Sequence, residues 1–214
     1  MIGIIDYKLG NLTSVKNALD KLGVTNFISD DPLKLKKSKG LILPGVGAAG
    51  TGMKNLKAKK LDRLIFEDIA SGKPFLGTCL GMQLLFEFSE EDKTECLGIF
   101  KGTVKKFPSI VSSPRTRESI NNNLKIPQIG WNQFEITNNE SRIMGNIEDE
   151  SYFYFVNSYY CEPIDKSIIT GVTEYGIIFA SVIERDNVFA TQFHSEKSGD
   201  DGLQILKNFA EVCQ

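Results

Sequence analysis

Along the first half of the chain, short apolar runs alternate with stretches of helical periodicity. "IGIID" at 2–6 predicts a strand that begins almost at the first residue. Leu12, Val15, Leu19 and Leu22 then fall on one helical face, and Gly23 follows as a stop. "NFISD" and "GLILPG" predict the next strands, and "KKLDRLIFEDIA" at 59–70 predicts an amphipathic helix closed by Ser71 and Gly72. In "KPFLGTCLGMQLLFEF", at 73–88, a strand ends near Leu76. Leu80, Leu84, Leu85 and Phe88 then recur at helical spacing, which predicts a helix after Cys79. Strands alternating with helices imply a parallel sheet with helices on both faces.

The second half changes character. "YFYFVNSYYCE", "SIITGV", "GIIFASVI" and "NVFATQF" are β-branched and aromatic runs at short spacing, which predict antiparallel additions to the sheet. "DGLQILKNFAEVC" predicts a closing helix with Leu203, Leu206 and Phe209 on its inner face. Residues 107–127 are rich in Ser, Pro, Asn and charge and read as a surface loop or insertion. The expected fold class is therefore α/β: a mostly parallel central sheet flanked by helices, with antiparallel additions, in one domain over 1–214.

Bulk composition narrows the function classes. With 214 residues, 41% of them hydrophobic, the chain can bury a substantial core. A net charge of −2 gives no basic field for nucleic acid or anionic membranes, and runs such as "KLKKSK" read as solvated surface. No apolar run reaches the ~18–20 residues of a membrane span. The first residues lack the basic and long apolar regions of a signal peptide. The four cysteines, at 79, 96, 161 and 213, form no C-x-x-C pair. Together these features predict reduced thiols and a cytoplasmic location. His194 is the single histidine, so a zinc site built on several histidines is excluded and no metal is expected.

Three stretches carry candidate chemistry. Gly77-x-Cys79-x-Gly81 between a strand and a helix matches a nucleophile elbow, whose small neighbours let the backbone pass close to itself. The helix N-terminus would favour thiolate at the sulfur. The competing reading is a buried structural cysteine. In "LILPGVGAAGTG", Gly45-x-Gly47-x-x-Gly50 could present backbone N–H groups to a developing negative charge. It also matches a dinucleotide-binding fingerprint, and it could be a plain turn. In "ATQFHSEKSG", His194 lies just past a predicted strand and Glu196 two residues on. In extended chain the two would point the same way, so Glu196 could orient the imidazole while its other nitrogen faces a thiol. A solvated pair at a strand end is the alternative.

"PGVG", "GTCLGMQ" and "FHSEKSG", in this order and spacing, resemble the class I (triad) glutamine amidotransferases. "DYKLGNLTSVKNAL", "PQIGWN" and "YFVNSYY" extend the likeness along the chain, the stretch near 108–124 excepted. The resemblance implies a glutaminase with Cys79 as nucleophile, His194 as base and Glu196 as third triad member. It implies an oxyanion hole from Val46, Gly47 and Leu80, and glutamine binding by Gln83, Ser158 and Tyr159. It places Asn11, Trp131, Asn132 and Lys197 towards a partner, with no cofactor.

That partner would be a (β/α)8-barrel cyclase subunit forming a heterodimer with this chain. It would use the ammonia to make imidazole glycerol phosphate and AICAR in histidine biosynthesis. The alternatives are a paralogue that supplies ammonia for amidation or amidino formation on a bacterial surface sugar, and a nucleotide-binding oxidoreductase. The chain departs from the family pattern at Gln128 and Asn157, where histidine is usual, and at Ser195, where proline is usual.

Overall fold

The computed structural model describes residues 1–111, 122–138 and 140–214. The central stretch of the 107–127 segment therefore lies outside the described residues. Among those described, a twelve-stranded sheet runs through the molecule. Five neighbouring strands, Asn26–Ser29, Ile2–Ile5, Gly40–Gly45, Phe75–Cys79 and Val188–Thr191, run parallel in that spatial order. Beyond them the strand Ile178–Arg185 pairs antiparallel with Val188–Thr191, and Tyr159–Pro163 and Ile169–Glu174 pair antiparallel with it in turn.

Burial explains why the parallel strands lack polar alternation. Every residue of Ile2–Ile5, Gly40–Gly45, Phe75–Cys79 and Val188–Thr191 is buried, because helices cover both faces. Side chains divide by parity between two cores. Ile5, Leu41, Leu43 and Phe75 pack with Met53, Leu56, Leu64 and Ile65 of the helices Ala49–Ala58 and Leu61–Ala70. Ile2, Ile4, Ile42 and Leu76 pack on the other face with Val15 and Leu19 of the helix Leu12–Lys21 and with Ile205 and Phe209 of Gly199–Val212.

Three features differ from the sequence expectations. The helix after Cys79 is one turn, Leu80–Gln83, and the chain re-enters the sheet as the strand Phe86–Ser89. Leu84 and Leu85 are buried in the intervening turn, so their spacing reflects core contacts and not a continuing helix. The Tyr152–Asn157 strand does not join the main sheet. It pairs with Gln128–Gln133 in a separate antiparallel ribbon, whose inner side chains Phe153 and Phe155 pack with Phe193 and its neighbours. The glycine-rich stretch after Gly45 runs into a helix at Ala49 that the apolar spacing alone did not reveal.

Candidate active site

Cys79 ends its strand at φ 54°, ψ −111°, a backbone conformation that costs on the order of 1–3 kcal/mol for a non-glycine residue. The neighbouring glycines make this sharp turn possible. A Cβ on Gly81 would sit 1.8 Å from the Leu43 carbonyl oxygen, and one on Gly77 would sit 2.7 Å from the Gly81 oxygen. The elbow reading of Gly77-x-Cys79-x-Gly81 therefore has a direct steric basis. With only one helical turn behind it, a helix dipole contributes little at the sulfur. What faces the sulfur are individual groups, the His194 imidazole hydrogen-bonded to it, the Val156 carbonyl oxygen at 3.7 Å and Gln192 Nε2 at 3.8 Å.

His194 and Glu196 are both buried, and Nδ1 of the imidazole lies 2.9 Å from Glu196 Oε1. The two meet through the 3₁₀ turn Ser195–Lys197, not along an extended strand as the i, i+2 argument assumed. Burial alone would push the His194 pKa down. The Cys79 sulfur and the Glu196 carboxylate outweigh that and raise it to about 10, which favours the imidazolium. The His194 backbone is clamped as well. Its N–H donates to the Tyr154 oxygen at 2.9 Å, and its carbonyl accepts from Ser198 Oγ at 2.7 Å. Ser198 Oγ in turn accepts from the Tyr154 N–H at 3.0 Å.

A cavity of about 230 Å³ opens beside the sulfur. Val46, Gly47 and Leu80 form one side, and Gln83, Ser158 and Tyr159 another. The expected oxyanion and substrate residues are thus brought to one place. Gln83 uses Nε2 to donate to the Tyr159 oxygen at 3.2 Å and to Gln192 Oε1 at 3.1 Å. Its amide therefore also holds the wall of the cavity.

Glu91, which sequence reasoning missed, lines the same cavity. Its carboxylate accepts from the Ala49 N–H at 2.8 Å. Burial raises its pKa, the Ala49 hydrogen bond opposes this, and Asp92 adds to it. Nothing in "SEEDK" distinguishes this acid from its neighbours in a single sequence.

The expected partner residues separate into two kinds. Trp131, 55% exposed, stands edge-on to Tyr154 at 6.1 Å between ring centroids, and Lys197 Nζ lies 5.8 Å from the centre of the same Tyr154 ring. These three form one open face of the ribbon with exposed Ile129 and Tyr152. Asn11 instead caps the helix Leu12–Lys21, accepting from the Ser14 N–H at 3.4 Å. Asn132 is held within its own chain, donating to the Glu174 oxygen at 2.8 Å and accepting from the Gln133 N–H.

The departures also have a place in the fold. Gln128 and Asn157 lie directly opposite each other on the inner face of the ribbon. Among the described residues neither polar side-chain atom of Gln128 has a partner, nor does Asn157 Oδ1 or the buried Ser195 Oγ.

Among the described residues no cluster of histidines, cysteines and acids could hold a metal, and no helix is long and apolar enough to cross a membrane. The Gly45–Gly50 turn borders the Cys79 cavity, which favours the oxyanion reading over the dinucleotide one.

Cys79, His194 and Glu196 thus meet at the carboxyl ends of parallel strands, an arrangement that fits the class of α/β cysteine-dependent transferases and hydrolases. The chain belongs to the class I glutamine amidotransferase family, whose model matches residues 3–213. It is 42% identical over 214 residues to the imidazole glycerol phosphate synthase subunit HisH of Maridesulfovibrio salexigens, covering 100% of this chain and 98% of the relative. It is likewise 42% identical over 214 residues to subunit HisH of Bacillus subtilis, covering 100% of this chain and 97% of that one.

Solved structures agree on the fold. A crystal structure of a glutamine amidotransferase superposes with a TM-score of 0.72 at 16% identity, covering 99% of this chain and 98% of that one. The structure of PurLQS from Thermotoga maritima gives 0.71 at 17% identity, covering 100% and 98%.

Proposed function

We propose that this chain is the glutaminase subunit of an imidazole glycerol phosphate synthase. It hydrolyses glutamine and delivers the ammonia to a (β/α)8-barrel cyclase subunit. The observation that carries the glutaminase reading is the His194–Glu196 contact of 2.9 Å beside a strained Cys79 in a cavity of amino-acid size. Whole-length identity of 42% to HisH subunits supports the pathway.

In the reaction the Cys79 thiolate attacks the carboxamide carbon of glutamine. The oxyanion forms against backbone N–H groups of Leu80 and the Val46–Gly47 turn, each worth about 3–4 kcal/mol. His194, as imidazolium, protonates the departing ammonia. Neutral His194 then takes a proton from water, which cleaves the γ-glutamyl thioester and releases glutamate. Glu196 holds the ring in one tautomer throughout. Gln83 and the backbone of Ser158 and Tyr159 hold the amino-acid end, and Glu91 supplies the negative charge that an α-ammonium group needs. The exposed face of Ile129, Trp131, Tyr152 and Lys197 is where the barrel subunit docks.

The experiment pairs this chain with its barrel subunit. Together they should convert the ribulosyl aminoimidazole-carboxamide precursor to imidazole glycerol phosphate with glutamine, and rescue a histidine auxotroph lacking the glutaminase subunit. Cys79→Ala should abolish glutamine use while ammonia-dependent synthesis persists. Intact glutaminase activity without rescue would overturn the pathway assignment in favour of a sugar-modifying paralogue, a reading to which the Gln128 and Asn157 departures lend weight. Glutamine turnover in Cys79→Ala would overturn the mechanism itself.

A further inference from the structure

Gln192 follows the strand Val188–Thr191 and is fully buried two residues before His194. Its backbone N–H donates to the Ser181 oxygen at 2.8 Å, which ties it to the neighbouring strand. Its side chain ends a relay of carboxamides that runs from the cavity wall to the nucleophile.

The relay has one possible sense. The Tyr159 carbonyl oxygen, 3.2 Å from the Gln83 amide, can only accept, so the Gln83 atom facing it must be the NH₂ group. That same NH₂ group lies 3.1 Å from the Gln192 side chain and again can only donate, so Gln192 must present its oxygen to Gln83. The Gln192 NH₂ group is then left facing Cys79 Sγ at 3.8 Å, within reach of a hydrogen bond to sulfur. The direction of each amide follows from a carbonyl that has no choice.

Beside the His194 imidazole, which is hydrogen-bonded to it and favours the thiolate, the sulfur stands between two fixed groups of opposite preference. The Val156 carbonyl at 3.7 Å can receive a proton from the thiol but repels a thiolate. The Gln192 N–H favours the thiolate, because a hydrogen bond to the charged form lowers its energy relative to the neutral form.

We propose that Gln192 is a further catalytic residue, whose side-chain N–H stabilises the Cys79 thiolate while the Tyr159–Gln83 relay holds it in that orientation. The donor acts twice: on the attacking thiolate, and on the sulfur as it regains its charge when water cleaves the thioester. Because the relay begins at Tyr159 in the cavity wall, a shift of that wall reaches the nucleophile through three hydrogen bonds. The proposal rests on Cys79 as the nucleophile of glutamine hydrolysis.

The test is the pH profile of Cys79 alkylation by iodoacetamide in the full chain. Peptide mass spectrometry resolves Cys79 from Cys96, Cys161 and Cys213. Gln192→Glu keeps an acceptor for Gln83 but turns a carboxylate towards the sulfur. Its profile should move by ~1 pH unit or more to the alkaline side, and its alkylation at neutral pH should slow by about 10-fold. Gln192→Met keeps the volume and removes the donor, and should slow alkylation by about 3–10-fold. Glutamine turnover in the complex should fall in the same order.

A structural role alone would lower the melting temperature without moving the profile. Profiles of the folded variants that superimpose on the wild type would overturn the proposal, and Gln192→Met decides it if Gln192→Glu does not fold. Alkylation needs no glutamine, so a wild-type chain that alkylates at Cys79 but never hydrolyses glutamine would sink the functional reading separately.

Discussion

Tyr154 and His194 share a backbone hydrogen bond, the His194 N–H donating to the Tyr154 oxygen at 2.9 Å, and the Tyr154 ring stands between Trp131 and Lys197 on the open face of the ribbon. The next carbonyl but one along the same strand, that of Val156, lies against the Cys79 sulfur. One edge of this strand thus touches both members of the Cys–His pair, and its outer side chains are the exposed aromatic face. A partner seated there would lie against the strand whose peptide groups contact Cys79 and His194.

Trp131 is the large aromatic at the centre of that face, and such anchors dominate interface energetics. Trp131→Ala should weaken the complex with the barrel subunit by about 10–100-fold, or roughly 1.4–2.8 kcal/mol. The melting temperature of the isolated chain should change little, because more than half of Trp131 is exposed. Isothermal titration against the barrel subunit measures the first and calorimetry the second. Unaltered affinity would remove this face from the interface.

Glu91 is the carboxylate that lines the Cys79 cavity. If it holds the α-ammonium group, Glu91→Gln should raise KM for glutamine by about 10–100-fold and change kcat less, since that contact is present equally in the ground and transition states. Steady-state glutaminase kinetics of the complex separate the two constants. A fall in kcat at constant KM would assign Glu91 to the chemistry.

At Gly81 the geometry leaves no alternative to glycine, because an added Cβ would lie 1.8 Å from the Leu43 backbone oxygen. Backbone atoms in the middle of a parallel sheet cannot swing aside as a side chain can. Gly81→Ala should therefore destabilise the chain by at least about 3 kcal/mol, as overpacking against backbone does at its upper end. Urea denaturation followed by fluorescence gives the value. A loss below about 1 kcal/mol would mean that the elbow relaxes more freely than this packing allows.

Much of this site could be read from the chain because its physics is local. Gly77, Cys79 and Gly81 signal a close backbone crossing by their own spacing, and the fully apolar runs around Ile4, Leu43 and Leu76 signal strands buried on both faces. Other parts are set by tertiary contacts that leave no periodic trace. Leu84 and Leu85 are apolar at helical spacing, yet they lie in a turn, and the strand pairing of Phe86–Ser89 decides their course. The ribbon of Gln128–Gln133 with Tyr152–Asn157 resembles any half-buried hairpin until its distance from the main sheet is known. Glu91 and Gln192 gain meaning only from what the fold brings near them, since one acid in an acidic run and one amide after a strand look ordinary in sequence.

The ion-pair character of His194 predicts a specific loss of stability at alkaline pH. Its pKa is raised to about 10 in the folded chain, where burial is outweighed by the Cys79 sulfur and the Glu196 carboxylate, against about 6.5 in an unfolded one. Between those two values the folded state binds the extra proton, so stability falls as pH rises, by no more than about 1.4 kcal/mol per pH unit. Below about pH 6.5 both states are protonated and the full contribution is present; above about pH 10 it is gone.

Lysines, tyrosines and the other cysteines also titrate on the alkaline side, so the wild-type curve alone is not diagnostic. The difference between the wild type and His194→Asn cancels those shared groups. Chemical denaturation of both proteins across that window should give a stability difference that favours the wild type most at the acid end and shrinks steadily towards alkaline pH. A difference that stays level would mean that His194 is neutral in the resting chain. Glu196 would then orient an imidazole that takes its proton from Cys79 only as the thiol attacks.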